Sequence, residues 1–239
     1  MKADPVIISN LLENRNRYCI PIYQRRYVWT KSKHWQPFWY DVRTKVIEKL
    51  ANREQRFSHF MGAVVLESRA KQSVEHVPSF QVVDGQQRLT TFQLFLTAAK
   101  HYAQNISHES ASQNITRYIL NSDLHLMKQP EIEKFKIWPT QFNREMFIDI
   151  IASVDRDEIR KKYSQYWYKK HARDQIQEYS TVPNLLGAYG YFYDRIRQAV
   201  ETDDLSSDLD EIREVKMDAI EVSPDTNEEQ SIPKEIKLD

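Results

Sequence analysis

The chain has a single cysteine, Cys19, and only four glycines in 239 residues. One thiol excludes an internal disulfide framework and any zinc site built from several cysteines. So few glycines fit the absence of a Walker A pattern and of a glycine-rich dinucleotide loop. No apolar run approaches the ~20 residues that a spanning helix requires, so no membrane segment is expected. The first ten residues carry one lysine and the short apolar patch Val6-Ile7-Ile8. That is too little for a secretory signal, and the expected compartment is the cytoplasm. Cys19, between Tyr18 and Ile20, reads as a small buried hydrophobe rather than a reactive thiol.

What is present is ordinary for a water-exposed domain with a real core: 41% hydrophobic and 28% charged residues. The formal charge is zero, but it is unevenly spread. Residues 201–239 hold 14 Asp and Glu against 4 Lys and Arg, a net of −10, which leaves the first 200 residues at +10. A basic body suits a polyanion such as a nucleotide or nucleic acid, and an acidic segment poor in aromatics reads as a tail, a linker or a segment docking on the body.

Periodicity predicts a short helix over Ser9 to Asn14 with Ser9 as N-cap, then a strand around Tyr18 to Ile22 that Pro21 places at an edge or end. From Lys33 to Leu50, Trp35, Phe38, Trp39, Val42, Val46 and Leu50 recur at helical spacing with a heavy aromatic face. Phe60 to Leu66 and Phe80 to Val83 read as buried strands, joined by the polar stretch Glu67 to Ser79. Leu89, Phe92, Phe95, Leu96, Ala99, Tyr102, Ala103 and Ile106 trace a long helical stripe after Asp84-Gly85. Phe135 to Pro139 reads as a further strand, and helices are expected over Asn143 to Ser153, Glu158 to Glu178 and Pro183 to Val200. The expected architecture is α+β, a small mixed sheet with a helical annex. The core would span residues 1–110, the annex of the same domain 111–200, and the acidic tail or linker 201–239.

Chemistry concentrates in two segments. In Val82-Val83-Asp84-Gly85-Gln86-Gln87-Arg88-Leu89-Thr90-Thr91 a buried strand runs through Asp-Gly into a helix N-terminus, where exposed amides and the helix dipole favour an anion. Gly85 lets the backbone approach closely, Arg88 can hold two phosphate oxygens in its fork, and Asp84 is a candidate Mg²⁺ ligand or water orienter. A plain cap and turn accounts for Asp84 and Gly85, but not for two amides and a guanidinium, since Arg at that end opposes the dipole without an anion. The second segment, Ile20-Pro21-Ile22-Tyr23-Gln24-Arg25-Arg26-Tyr27-Val28-Trp29, interleaves cations with aromatics that can contact phosphate and stack on a base. Taken alone it reads equally as a loop packed on the Trp35/Trp39 helix. A third stretch, Arg156 to Arg173, has seven Lys and Arg against two Asp and Glu with four interspersed aromatics. A solvated helix with one aromatic face is the favoured reading there. His34, His59, His76 and His171 show no metal-ligand spacing.

The paired segments, with Trp35, Trp39 and Asp41 between them and His59-Phe60-Met61-Gly62 opening a strand, resemble the GmrS-type N-terminal domain of GmrSD-like type IV, modification-dependent restriction enzymes and the related SspE proteins. The resemblance is specific over about Ser9 to Ile106, weaker through Pro139, Arg144, Phe147 and Ala188 to Phe192, and absent past Val200. It implies a ParB/sulfiredoxin-related fold and a nucleoside triphosphatase that uses Mg²⁺. Asp84, Gln86, Gln87 and Arg88 would be catalytic, and Tyr23, Gln24, Arg25, Arg26, Gly85, Arg88, Thr90 and Thr91 would line the nucleotide and phosphate site. It further implies DNA as a partner, together with a nuclease subunit or a C-terminal nuclease domain. No HNH-type His and Asn cluster stands between Val200 and Asp239, so cleavage by that route is not expected of this chain. Sulfiredoxin chemistry is disfavoured because the Asp84 to Arg88 loop has no cysteine. The competing expectation is a noncatalytic DNA-binding or assembly module whose loop grips a backbone phosphate.

Overall fold

A computed structural model describes residues 6–51, 60–69, 77–168, 175–176 and 181–202. The expected tail from 203 onward, His59, His76, His171 and the basic residues 169–173 lie outside the described residues.

Four strands form one mixed sheet: β1 (Arg17–Cys19), β2 (Val65–Ser68), β3 (Ser79–Asp84) and β4 (Ile137–Trp138), in the order β2-β3-β1-β4. β1 runs parallel to both β3 and β4, whereas β2 is antiparallel to β3. The first strand is shorter than its apolar run. The Ile20 amide still donates to the Trp138 carbonyl, at 2.8 Å, but Pro21 has no amide to continue the ladder. β2 begins later than the apolar pattern suggests. Gly62 has φ +93°, a bulge falls between Val65 and Leu66, and residues 60–64 leave the ladder.

Helices α1 (Ile8–Glu13), α2 (Gln36–Leu50), α3 (Gln86–Asn105) and α4 (Glu109–Ile119) are followed by α5 (Pro130–Glu133), α6 (Arg144–Ala152), α7 (Arg156–Lys162) and α8 (Asn184–Glu201). α1 is capped two residues earlier than expected, by Ile7 in extended backbone, so Ser9 lies inside the helix. A π-turn over Lys31–Trp35 leads into α2, whose first turn holds Pro37, where a missing amide is harmless. The expected helix over Glu158 to Glu178 is formed only as far as Lys162, residues 163–168 leave it, and 169–174 and 177–178 lie outside the described residues. α7 ends at Lys162, and the aromatic run instead supplies β5 (Trp167–Tyr168), paired antiparallel with β6 (Gln175–Ile176). Aromatic residues suit a half-buried strand, and the turn is pinned because Asp149 accepts from both the Lys162 ammonium and the Tyr163 hydroxyl.

α3 is the central post, with α4 and α8 packed along it. Phe38, Phe95 and Phe192 meet edge to face with centroids 5.4–5.7 Å apart, locking α2, α3 and α8 together. Cys19 is a free, buried cysteine, as its apolar setting implies.

A polar knot ties α3 to α6 and α8. His101 contacts the Tyr189 hydroxyl at 2.9 Å through Nδ1 and the Ser153 carbonyl at 3.0 Å through Nε2. Burial, then the nearby Lys100 charge, push its pKa down to about 4. In the unfolded chain it should titrate near ~6.5, so between those values the unfolded state binds the extra proton. The expected outcome is stability that is full above about pH 6.5 and lost toward pH 4, on the order of 3 kcal/mol. Thermal unfolding at stepped pH checks this. His101→Gln, though less stable overall, should show a flatter acid limb, and an unchanged limb would remove His101 as its source.

Candidate functional site

The site is built where β3 ends and α3 begins. Gly85 is the N-cap of α3 with φ +91°, and no described side chain caps the helix, so its leading amides have no capping acceptor after a left-handed turn. A Cβ on Gly85 would lie 2.9 Å from Val64 Cγ2 and 3.1 Å from the Ala63 oxygen, so the segment preceding β2 lies close over this turn. Asp84 is exposed, and its carboxylate makes no hydrogen bond or ion pair to any described residue.

Gln86 and Gln87 have structural partners that composition did not reveal. The Gln86 amide donates to Gln24 Oε1 at 2.9 Å and to the Arg25 carbonyl at 3.1 Å. Gln87 donates to the Arg26 carbonyl at 3.1 Å and accepts from the Val28 amide at 3.0 Å. Gln24 in turn donates to the Val83 carbonyl at 2.8 Å. The two glutamines therefore clip residues 24–28 onto the start of α3 as a strap. Tyr27 anchors it from below: its hydroxyl lies 2.7 Å from Thr91 Oγ1 and accepts from Trp35 Nε1 at 2.9 Å, and burial pushes the phenol well above its usual pKa. Beyond the strap Trp29 stacks on His34, centroids 4.9 Å apart, and the Thr30 amide donates to His34 Nδ1.

The sequence-derived site residues are not all brought to one place. Arg25, Gln86, Gln87 and Thr90 line one small pocket, with Ile20, Tyr27, Pro139, Thr140, Phe147 and Leu185 as the remaining wall. The volume it encloses is only about 10 Å³, room for about one water molecule. Arg88 does not line it. Its guanidinium turns the other way, donates to the Ala63 carbonyl at 2.7 Å and covers Gly62, whose absent Cβ would stand 2.6 Å from Arg88 Nε. That contact gives Arg88 an acceptor at the helix start in addition to any anion. Thr91 is fully buried, its hydroxyl donated to the Gln87 carbonyl. Arg25, Arg26 and Tyr23 are exposed, and Tyr23 accepts from the Gln81 amide at 2.9 Å.

Residues 62–64 and the 139–140 turn were not among the expected site residues. Gly62, one of four glycines, was the available signal for the first, and nothing local marks the second. In the third, basic stretch three of the four described cations are paired within the fold, and Lys161 is exposed. Arg156 bonds Asp194 and lies 4.1 Å from the Tyr193 ring centroid, Arg160 meets Asp157, and Lys162 meets Asp149. No helix among the described residues is long and apolar enough to cross a membrane.

A comparison with curated proteins returned no match. Both motifs, the strap they form and the turn beneath it fall inside the stretch 8–234 that matches the family model for the N-terminal domain of the GmrSD restriction endonuclease. The chain therefore belongs to that family, whose members are components of DNA restriction and phage-defence systems.

Proposed function

We propose that this domain binds a nucleoside triphosphate at the start of α3 and hydrolyses it to regulate DNA restriction, with DNA as the polymer it responds to. A separate subunit or a further C-terminal domain would supply the nuclease. The observation that carries the reading is the uncapped N-terminus of α3 at Gly85, with the cation-bearing strap clipped beside it. Uncapped amides, the helix dipole, Arg88 and the exposed Arg25 and Arg26 are the donors that a polyphosphate needs.

Mg²⁺ bound with a nucleotide takes one or two carboxylates and otherwise uses phosphates and water. The exposed, unpartnered Asp84 fits that requirement. Among the described residues no group of three or more His, Cys, Asp or Glu offers a cage made of protein alone. When bound, the ion would neutralise charge on the phosphates. The chain's own part is to orient: Gln86 and Gln87 fix the strap, the α3 amides hold oxygens, and Arg88 steadies charge.

The noncatalytic reading, in which the same turn grips a DNA phosphate, draws on one observation. The pocket beside Arg25 encloses only about 10 Å³, far below the ~300 Å³ at which small-molecule sites usually begin. Calorimetry with a nucleotide panel, with and without Mg²⁺ and DNA, together with phosphate release, separates the two. Binding and turnover of at least one nucleotide are expected, and no turnover with any nucleotide, on plain or modified DNA, would favour the grip. Asp84→Ala should lower turnover far more than nucleotide affinity. A variant with full Mg²⁺-dependent hydrolysis would take the metal role away from Asp84.

A further inference from the structure

Trp138, on β4, carries two arginines. The Arg17 Cζ lies 5.7 Å from its ring centroid and the Arg144 Cζ 5.0 Å. The register explains the first: Cys19 stands opposite Trp138, and Arg17, two residues earlier on β1, shares their face of the sheet. Arg144 reaches the same ring from the first residue of α6.

Neither guanidinium finds a strong acceptor among the described residues. Arg17 reaches the Cys19 sulfur at 3.5 Å, a weak acceptor, and Arg144 reaches the Pro139 carbonyl at 3.5 Å, beyond good hydrogen-bond length. The Nε of each is buried without a partner, and neither forms an ion pair with any described residue. Glu67 is on this face of the sheet, but β2 is three strands from β4, roughly 14 Å at ~4.8 Å per strand. An indole that holds two part-buried guanidinium groups in place, with only weak acceptors at their Nη ends, leaves those ends suited to capture of phosphate.

The location supplies the ligand class. Trp138 runs directly into Pro139 and Thr140, which wall the pocket that Arg25 also lines. We propose that Arg17 and Arg144, braced on Trp138, form a second phosphate-binding station for the nucleic-acid backbone, continuing the track that begins at Arg25. This rests on the reading that the domain engages DNA, and not on hydrolysis.

The test is fluorescence anisotropy of a labelled DNA duplex at several salt concentrations, with parent, Arg17→Gln, Arg144→Gln and the double variant. Each loss should weaken binding roughly tenfold or more and lower the slope of log affinity against log salt by about 0.9, whatever the DNA sequence. Nucleotide affinity without DNA should not move. If a Gln variant does not fold, Arg17→Lys and Arg144→Lys serve in its place. They should keep the salt slope, with the charge, while losing affinity with the fork. If the parent binds DNA and the substituted proteins keep both its affinity and its slope, the arginines only pack on Trp138 and the proposal fails alone. If the parent binds no DNA, the DNA reading fails and takes this station with it.

Discussion

Gly85→Ala should be the most damaging single-methyl change in the domain. At φ +91° a side chain costs about 1–3 kcal/mol in backbone strain alone. The added carbon would also press on Val64 Cγ2 at 2.9 Å and on the Ala63 carbonyl at 3.1 Å. Backbone cannot yield as a side-chain tip does, so the segment 62–64 must lift from the start of α3. With about 2–4 °C per kcal/mol for a chain of this size, the melting temperature should fall by roughly 5–10 °C. Anion affinity should fall with it, because the same turn aims the leading α3 amides. Gly62→Ala is the informative contrast: its φ is +93°, but the atoms it meets belong to the flexible end of Arg88, at 2.6 Å from Nε. It should cost comparable backbone strain while displacing only that side chain. Thermal denaturation of both variants decides the matter, and a Gly85→Ala protein within about 0.5 kcal/mol of the parent, the range of neutral surface changes, would show that the turn is not held as described.

Much of this arrangement was legible in the sequence because it depends on local rules. The apolar stripe from Leu89 to Ile106 and the Asp84-Gly85 junction are periodicity and turn chemistry, and α3 begins at Gln86, where they place it. Phe135 to Pro139 reads as a strand because of its apolar content and terminal proline, and β4 occupies Ile137–Trp138. The failures are tertiary. Glu158 to Glu178 has helical composition, but Asp149 on α6, 13 and 14 residues before its partners, captures Lys162 and Tyr163 and ends α7. No pattern within the stretch announces that contact.

The same limit applies to the site. Two amides and a guanidinium crowded at a helix start suggested anion ligands, whereas Gln86 and Gln87 spend their donors on carbonyls about 61 residues earlier in the chain. A side chain's type reveals what it can bond, and only the fold reveals which of its possible partners is close. The strap and the anion reading remain compatible, since backbone amides, not glutamine side chains, would meet the phosphate.

Arg88→Ala should abolish nucleotide binding, with a loss of about 1.5–3 kcal/mol for a charge-assisted pair, or roughly ten- to over a hundredfold in affinity. The fold should survive, since the side chain is only half-buried and, among the described residues, bonds only the Ala63 carbonyl at the surface. That bond makes the expectation testable in two directions. If Arg88 serves phosphate, Arg88→Lys should restore part of the affinity through its charge, and Gly62→Ala, which shifts the guanidinium without removing it, should weaken binding more than it lowers the melting temperature. If Arg88 is only a clamp on residues 62–64, Arg88→Ala and Arg88→Lys should both lower the melting temperature and leave calorimetric affinity for every nucleotide at the parental value. The second pattern would move the anion site off the α3 turn and toward the pocket beside Arg25, where Gln86, Gln87, Thr90, Thr140 and the Tyr27 hydroxyl are the other polar groups.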